Sequence, residues 1–396
     1  MHTQRQLFSQ LLGQTSPEPL SLEVEHARGV YMYTPQGDNV IDIISGVSAS
    51  NLGHTHPKIV AAVKEQAEKY MHLMVYGEII QSPQVQLAKL VLSLLPDSIS
   101  SLFLVNSGSE AVEGALKLAK RVTGRPKIIS THNAYHGSTH GALSVLGNDY
   151  FKENYKPLLP DVHFIHYNNH EDLQEIDTNT ACVIIEPVQS EAGIIIPDNS
   201  YLQALRRKCT ETGTLLIFDE VQNGFGRTGK MFGYQHSEVV PDIICFAKGL
   251  GGGMPIGAFA ASKEHMDTFS HNPVLGHITT FGGHPVSAAA ALANVHELVT
   301  NTELITEIPE KEKLFKDLLL THPRVQSIRS RGLFMAVELD SPQSVVKLIQ
   351  TALKHGVLTD YFLFCETHFR IAPPLIITHD EIREACERLH KALDEL

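Results

Sequence analysis

The sequence lacks tryptophan, and it has few cysteines for its length, with five in 396 residues. No two of these cysteines form a Cys-x-x-Cys pair; they are Cys182, Cys209, Cys245, Cys365 and Cys386. An odd and scattered set of this kind argues against a disulfide framework. We therefore expect reduced thiols that are buried as small apolar side chains.

Long apolar runs and clusters of positive charge are also missing. No stretch reaches the length needed to cross a bilayer, and the N-terminal segment is polar and unlike a signal peptide. The 32 basic residues are outnumbered by 44 acidic ones, and no basic run could follow a phosphate backbone. These absences argue against membrane and nucleic-acid partners, and we expect a cytoplasmic protein.

Short apolar runs alternate with helix-length amphipathic segments through the middle of the chain. The runs that resemble strands are residues 101–105, 127–130, 181–186, 214–219, 242–247 and 257–261. Helices are predicted between them, one capped by Ser107 with Glu110 in a capping box and one over residues 201–212. This alternation predicts an α/β fold whose large domain has a mostly parallel, doubly wound sheet.

The two ends of the chain have a different pattern. Residues 30–44 resemble strands with a turn at 36–38, and further strands are predicted at 331–339 and 369–377. Thr378 and Glu381 form a second capping box that opens the last helix. We expect a smaller α+β domain from both chain ends: residues 1–50 join it, 51–300 form the large domain, and 301–396 complete the small one.

Polar residues that could carry chemistry follow several predicted strands. They are the segment 106–109, Glu186, Asp219 and Lys248. Because ligands of parallel sheets bind beyond the carboxyl ends of the strands, we expect these residues to meet in one crevice.

Each of these groups also has a plain structural interpretation. The segment 107–109 could bind a phosphate at a helix start, or simply cap the helix. Lys248 could be an amine activated by desolvation, or a surface lysine at a turn. Asp219 could hold a protonated ring nitrogen, or cap a turn. Taken singly, the structural interpretation is favoured for each.

Two other patterns do not support a ligand site. The segment Gly224-Phe225-Gly226-Arg227-Thr228-Gly229 satisfies G-x-G-x-x-G, but neither a preceding strand nor a following acidic residue is in place for a dinucleotide. With Lys230 it also satisfies G-x-x-x-x-G-K, but Met231 stands where a P-loop needs Ser or Thr. His132, His136 and His140 are four residues apart, but glycines interrupt any helix there, so no metal is expected.

Five short motifs follow one another along the chain: Asn106-Ser-Gly-Ser-Glu-Ala, Glu186-Pro-Val-Gln, Asp219-Glu-Val-Gln-Asn-Gly-Phe-Gly-Arg-Thr-Gly, Ala247-Lys-Gly-Leu-Gly-Gly-Gly and Thr280-Phe-Gly-Gly-His-Pro. Each is weak alone. Together, and in this order, they resemble the class III (ω-) aminotransferases, which have pyridoxal-phosphate (PLP) fold type I. Within this family, the sequences of the five motifs are most similar to the acetylornithine/ornithine aminotransferase branch.

The resemblance implies a role for individual residues around PLP. Lys248 would form a Schiff base with the cofactor and then move a proton, and Asp219 would pair with the ring nitrogen. The other implied cofactor-binding residues are Ser107, Gly108 and Ser109 at the phosphate, Tyr135 stacked on the ring with His136 beside it, Glu186, Val221 on the other face, Gln222 at the ring hydroxyl, and Thr280 from the partner subunit. A residue supplied across an interface implies a homodimer with the active site at the subunit interface.

Two further residues bear on the substrates. Arg370 matches the arginine that grips a substrate carboxylate, and Glu191 matches the glutamate that masks this arginine in one half-reaction. The pair suggests a carboxylate-bearing amine as donor and 2-oxoglutarate as acceptor, in a ping-pong Schiff-base mechanism. A structural salt bridge is the plain alternative for Arg370.

One departure from the family pattern leaves the donor open. Many relatives that use acetylornithine, ornithine or 4-aminobutyrate have arginine after His-Gly, as a second carboxylate clamp, whereas Ser138 follows His136 and Gly137 here. The sequences of the motifs favour an acetylornithine- or ornithine-like donor. The alternative is a 4-aminobutyrate or lysine-type donor. An aminomutase, decarboxylase or racemase on the same scaffold, and a non-catalytic PLP-binding protein, are the remaining hypotheses.

Overall fold

The structure, a computed structural model, describes residues 3–74 and 77–396. Its α-helices, α1 to α13, are Gln4–Leu11, Ser45–Ser48, Pro57–Lys69, Ser82–Leu92, Gly108–Thr123, His140–Ser144, Asn199–Thr212, Lys263–Asp267, Pro285–Thr300, Glu303–Thr306, Ile308–Leu319, Pro342–Lys354 and His379–Asp394. Its strands, β1 to β15, are His26–Arg28, Tyr31–Tyr33, Asn39–Asp42, Ser101–Val105, Lys127–Thr131, Val162–Ile165, Thr180–Ile185, Leu215–Asp219, Ile243–Phe246, Gly257–Ala261, Ser327–Ser330, Met335–Glu338, Val357–Leu358, Tyr361–Phe362 and Cys365–Ile371. Among the helices of these residues, none combines the length and apolar character that a bilayer crossing requires.

A seven-stranded sheet forms the centre of the molecule, in the order β4-β10-β9-β8-β7-β5-β6. Neighbouring strands from β9 to β6 are parallel, and β10 runs antiparallel to both β9 and β4. The prediction of an α/β fold with a mostly parallel sheet is therefore confirmed. All six predicted strands are present, with ends shifted by no more than one residue. The edge strand β6 was missed, because its short run contains the polar His163.

Alternate side chains of the sheet point into two different cores. Along β7, Cys182 and Ile184 pack in the core under α5, whereas Val183 and Ile185 pack in the core that also contains residues of α7 and α9. A strand with both faces buried reads as a continuous apolar run, as β7 does. The sheet is thus covered by helices on both faces, as a doubly wound fold requires.

Two four-stranded sheets are built from the chain ends. One has the order β1-β2-β3-β13, so that the N-terminal β3 pairs in parallel with β13 from the C-terminal third. The other has the order β11-β12-β15-β14. The turn predicted at 36–38 is present, with the Thr34 N–H donating to the Asp38 carbonyl at 2.9 Å. The division into segments 1–50, 51–300 and 301–396 stays a prediction.

The two strands predicted in the C-terminal third needed correction. The segment 331–339 is not one strand: β12 begins at Met335, after a turn in which Gly332 has a φ of +66°. The segment 369–377 is displaced, because β15 covers Cys365–Ile371 and stops before Pro373 and Pro374. Proline has no N–H for a strand ladder, so the apolar run beyond Ile371 cannot extend the sheet.

The glycine-rich segment 224–229 acts as a structural cross-link. Its Arg227 is fully buried and donates to the Leu333 carbonyl at 2.9 Å, to Ser45 Oγ at 3.0 Å and to Asn51 Oδ1 at 2.8 Å. Burial lowers the pKa of Arg227 to about 9, which Asp42 partly offsets. The segment thereby ties the loop after β3 to the turn before β12.

Close packing of α5 on β10 gives a test of the fold. A Cβ atom added to Gly114 would lie 2.2 Å from Cε1 of Phe259. Overpacking of this kind costs about 1–3 kcal/mol, more than alanine gains over glycine in a helix. We expect Gly114→Ala to lower the free energy of unfolding by about 1–2 kcal/mol in a denaturant titration. Adding Phe259→Leu to this variant should recover part of the loss, and a stabilised Gly114→Ala protein would contradict the packing.

Candidate active site

A cavity of about 160 Å³ lies at the carboxyl ends of β7, β8 and β9, next to the start of α5. Its lining residues are Ser107, Gly108, Ser109, Tyr135, His136, Gly137, Glu186, Asp219, Val221, Gln222 and Lys248. The cofactor-binding residues predicted from the sequence therefore meet in one place, except for Thr280. Gly137 is the one lining residue that was not predicted.

Asp219 ends β8 and is fixed on both of its oxygens. Oδ2 lies 2.7 Å from Nδ1 of His136, and Oδ1 accepts from the Val221 N–H at 3.0 Å. Asp219 and His136 are each 3% exposed, so this pair is shielded from water. Nε2 of His136 is buried and has no hydrogen-bond partner among the described residues. The arrangement suits a carboxylate that must meet a cationic ring nitrogen in a fixed orientation.

Lys248 follows β9 and lies in the same cavity. Its φ of +43° is unusual for a residue with a side chain. Burial lowers the pKa of Lys248 to about 8; Glu191 and Asp219 act in the opposite direction, and Arg370 adds to the lowering. A larger share of the amine is therefore neutral near pH 8 than for an ordinary lysine, and the neutral form is the nucleophile.

The start of α5 offers backbone donors to an anion. Ser107 Oγ accepts from the Glu110 N–H at 3.2 Å, as predicted. A full capping box would also have the Glu110 carboxylate accept from the Ser107 N–H, and this half of the prediction is wrong. Glu110 Oε2 instead accepts from the Asn106 N–H, one residue earlier, at 2.7 Å. The N–H groups of Gly108 and Ser109 stand in the first turn and have no partner within the helix.

Glycines allow close packing around the start of α5. A Cβ atom on Gly108 would lie 3.0 Å from Cγ1 of Val221, and one on Gly137 would lie 2.1 Å from Oγ of Ser109. Gly137 also has a φ of +126°, which side chains rarely permit. The two glycines therefore let the loop after Tyr135 and the residue after β8 pack closely on the start of α5, where the free N–H groups of Gly108 and Ser109 suit an anion such as a phosphate.

Glu186 follows β7 and holds the Tyr135 loop. Its Oε1 accepts from the Tyr135 N–H at 3.2 Å, and its Oε2 accepts from the N–H of Ser190 at 2.9 Å and from the Ser190 hydroxyl. Burial raises the pKa of Glu186 to about 7, an effect that His136 opposes. Glu186 thus fixes the backbone that presents Tyr135 to the cavity.

A second cavity, of about 720 Å³, adjoins the first and shares Tyr135 and Lys248 with it. Its other lining residues are Ser16, Pro17, Glu18, Pro19, Leu20, Val47, Glu191, Val346, Ile349, Gln350, Thr359, Asp360, Tyr361, Leu363 and Arg370. Glu191 and Arg370 were predicted to bind substrate, and both are here. The family resemblance associates the segment near Pro17 with the substrate, and segment 16–20 lies here. The face of α12 and Asp360 were missed, because no local motif marks them.

Glu191 and Arg370 form a buried ion pair in this second cavity. Nη2 of Arg370 donates to both oxygens of Glu191, at 2.9 and 2.8 Å. Burial by itself would raise the pKa of Glu191, but the charge and hydrogen bonds of Arg370, together with Gln222 and Lys248, lower it by more, so the pKa is lowered. The pair is the arrangement expected of a carboxylate-binding arginine masked by an internal carboxylate.

Gln222 and Thr280 are placed differently from the other predicted residues. The Gln222 amide donates to Glu191 Oε1 at 3.0 Å and accepts from Arg370 Nη1 at 3.3 Å, so it bridges the ion pair. It also lines the first cavity, where a ring hydroxyl is expected. Thr280 is exposed and lines neither cavity within this chain.

Comparison with known proteins shows the family of this chain. Residues 13–393 match the family described as Aminotransferase class-III. The chain is 38% identical over 370 residues to the acetylornithine aminotransferase of Methanopyrus kandleri, covering 92% of each chain. It is 39% identical over 386 residues to the acetylornithine aminotransferase of Corynebacterium efficiens, covering 95% of this chain and 93% of that one.

Solved structures agree with this relationship. An ornithine aminotransferase of Toxoplasma gondii, described with partial occupancy of PLP at its active site, superposes with a TM-score of 0.90 and 29% identity, covering 98% of this chain and 92% of that one. A transaminase of the marine bacterium Virgibacillus superposes with a TM-score of 0.90 and 28% identity, covering 98% and 97%.

The fold and the site thus define a PLP-dependent transaminase of fold type I. More specifically, the chain belongs to the class III aminotransferases, and acetylornithine aminotransferases are among its relatives. The predicted family, enzyme class and cofactor are confirmed.

The lowered pKa of Lys248 can be tested in the cofactor-free protein. Only the neutral amine reacts with acetic anhydride, so acetylation of Lys248 should reach half its maximal rate near pH 8. Exposed lysines, which titrate near pH 10.4 in general, serve as internal controls when peptides are quantified by mass spectrometry. A Lys248 profile that coincides with that of the exposed lysines would refute the effect of burial.

Proposed function

We propose that this protein is an ω-aminotransferase that moves a terminal amino group from a carboxylate-bearing amine, of the acetylornithine or ornithine type, to 2-oxoglutarate. The observation that carries the proposal is the buried Glu191–Arg370 pair in a cavity that reaches Lys248. One arginine that can be masked and unmasked lets one site accept a donor and then an acceptor in turn, as a ping-pong reaction requires. The family membership supports the reaction class.

The first cavity holds the cofactor in this proposal. Lys248 is its covalent anchor, and Asp219, kept in place by His136 and the Val221 N–H, pairs with the ring nitrogen. The N–H groups of Gly108 and Ser109 hold the phosphate, with Tyr135 and Val221 on the two ring faces. When bound, PLP supplies an electron sink that stabilises negative charge on the substrate carbon.

The chain's own residues handle the proton. Lys248 stands where the two cavities meet, so its Nζ can reach a group bound in either. An amine with a pKa of about 8 can accept a proton and release it again near neutral pH, which is the requirement for a general acid and base. The surrounding burial that lowers this pKa also excludes water from the reacting atoms.

A homodimer completes the site in this proposal. Exposed apolar side chains cluster in sequence around Thr280: Val274 is 73% exposed and Phe281 is 53% exposed. Ile80 is also 93% exposed. The ring of His72, eight residues before Ile80, packs against the ring of Phe281, with 4.7 Å between the ring centroids. An apolar surface of this kind suits a subunit interface, across which Thr280 would reach the partner's phosphate site. A cytoplasmic location stays a prediction.

The proposal is tested with a panel of donors and a change at Arg370. Ornithine, acetylornithine, lysine, 4-aminobutyrate and β-alanine are each offered with labelled 2-oxoglutarate, and transfer of nitrogen is measured. We expect Arg370→Lys to raise the KM for 2-oxoglutarate about 100-fold, because lysine cannot bind a carboxylate through two parallel hydrogen bonds.

The acceptor butanal, which has no carboxylate, is the control for that variant and should be used equally well by both proteins. Activity restricted to amines without a carboxylate would contradict the donor assignment. Failure to transfer nitrogen to 2-oxoglutarate would instead favour an aminomutase or a decarboxylase.

A 4-aminobutyrate or lysine-type donor is the alternative, because Ser138 leaves the choice of donor open. Its hydroxyl lies 3.1 Å from the Tyr135 hydroxyl, and its N–H donates to Ser109 Oγ at 3.2 Å. A neutral side chain therefore contacts Tyr135, which lines both cavities, at the position where many relatives have a carboxylate-binding arginine. The donor's far carboxylate would have no cationic partner from this position.

The identity of residue 138 predicts a change in donor preference. Ser138→Arg should lower the KM for acetylornithine about tenfold, because it adds a cation for the far carboxylate. Ser138→Met, which adds length without charge, is the matched control. An equal change in KM for a carboxylate-free amine would show that shape, not charge, is responsible.

A further inference from the structure

The guanidinium of Arg370 is held by more than its pairing with Glu191. Gln222 Oε1 accepts from Nη1 at 3.3 Å, and Asp360 Oδ1 lies 3.1 Å from Nε as an ion pair, without the geometry of a hydrogen bond. The ring of Phe362 lies against one face, 4.6 Å from Cζ. Arg370 thus has a carboxylate at each of two different edges, Glu191 at Nη2 and Asp360 at Nε.

These two carboxylates are attached to the protein in different ways. The backbone of Asp360 is bonded to Arg370 itself, because the Arg370 N–H donates to the Asp360 carbonyl at 2.9 Å. The hydroxyl of the preceding Thr359 donates to the Arg370 carbonyl at 2.7 Å. Asp360 also has a shorter side chain than Glu191. The backbone hydrogen bonds and the short side chain therefore keep the Asp360 carboxylate at a fixed position next to Arg370.

Glu191 has no such tether to Arg370. It lies in a tight turn, in which the N–H groups of Gly193 and Ile194 both donate to the Ser190 carbonyl. Its carboxylate is held, apart from Arg370, by the Gln222 amide at 3.0 Å and the Leu363 N–H at 3.1 Å. A longer side chain on a turn can swing aside without moving the strand that carries Arg370.

The edges of the guanidinium have separate uses. A carboxylate binds most strongly through two parallel N–H groups, here Nη1 and Nη2. Gln222 and Glu191 accept hydrogen bonds from this edge, and Gln222 also donates to Glu191. A substrate carboxylate that binds here must therefore replace both of them as acceptor. Asp360 is at Nε and can remain paired while a substrate carboxylate binds.

Asp360 also supplies a negative charge beside the Arg370 guanidinium. A buried guanidinium without a counter-charge is costly, so the departure of Glu191 alone would be opposed. Asp360 keeps one carboxylate beside Arg370 throughout. Burial raises the pKa of Asp360 to about 6, so this carboxylate is ionised at neutral pH.

We propose that Asp360 is a positioning residue: it holds the Nε edge of Arg370 so that the Nη1–Nη2 edge faces the cavity after Glu191 has moved aside. This inference rests on the proposed role of Arg370 in binding the acceptor. It adds that the alternation between substrates needs two carboxylates, a mobile one at residue 191 and a fixed one at residue 360.

The test uses the holoenzyme and glutarate, a dicarboxylate without the oxo group, with binding measured by titration calorimetry. Asp360→Asn keeps the shape of the side chain and removes its charge. We expect it to raise the Kd of glutarate about tenfold, the size typical of groups in direct contact, and to raise the KM for 2-oxoglutarate more than the KM for butanal, which has no carboxylate. Asp317→Asn, at an exposed aspartate of α11, is the matched control, and thermal melting checks that each variant is folded.

The outcomes separate this inference from the proposed function. Weaker glutarate binding in both Asp360→Asn and Arg370→Lys, with the KM for 2-oxoglutarate raised more than the KM for butanal, supports the inference. An equal rise of the two KM values in Asp360→Asn overturns it. Unchanged or tighter binding in Asp360→Asn, with weak binding in Arg370→Lys, overturns the role of Asp360 and leaves the proposed function standing. Normal binding in Arg370→Lys overturns the role of Arg370 itself.

Discussion

The carboxyl ends of parallel strands lie at one edge of a sheet, and the candidate active site depends on this constraint. Strands β7, β8 and β9 are neighbours in the central sheet, so the residues that follow them lie close together. Glu186, Asp219 and Lys248 are separated by 62 residues from first to last in the sequence, yet they line one cavity. The anion cradle at the start of α5 faces the same space.

Burial then determines how charges in this space behave. Asp219 is compensated by His136 and a backbone N–H, and Glu191 by Arg370. Such pairing is what permits ionised groups in a medium of low dielectric constant. For Lys248, the nearby carboxylates do not fully offset desolvation, and the pKa of its amine is lowered to about 8. Burial thus requires the fixed charges to be paired, and it leaves a larger share of one amine neutral.

The substrate cavity depends on a second region of the molecule. Arg370 is on β15, in a sheet that contains only C-terminal strands, whereas Glu191 follows the central sheet. Their contact, together with Arg227 and its bonds to Leu333 and Ser45, joins the central sheet to the smaller ones. Binding a substrate carboxylate would therefore act on a contact that also links these parts of the fold.

The sequence by itself determined the elements and the chemistry that each could carry. Most strands of the central sheet have both faces buried, so their apolar runs predicted six of the seven to within a residue, whereas the edge strand β6 was missed. The family motifs indicated Lys248, Asp219, Glu191 and Arg370 as candidate site residues. The ends of β15 were not predictable in this way, because its apolar run continues past the point where two prolines stop the ladder.

Only the tertiary structure decided which partners these residues have. The bridging position of Gln222, the fixed carboxylate of Asp360 and the N-terminal segment 16–20 at the substrate cavity follow from contacts between distant parts of the chain. Local patterns record whether a side chain is apolar, charged or able to cap a helix. Distances between side chains from different elements are set by how whole strands and helices pack, and no short stretch of sequence contains that information.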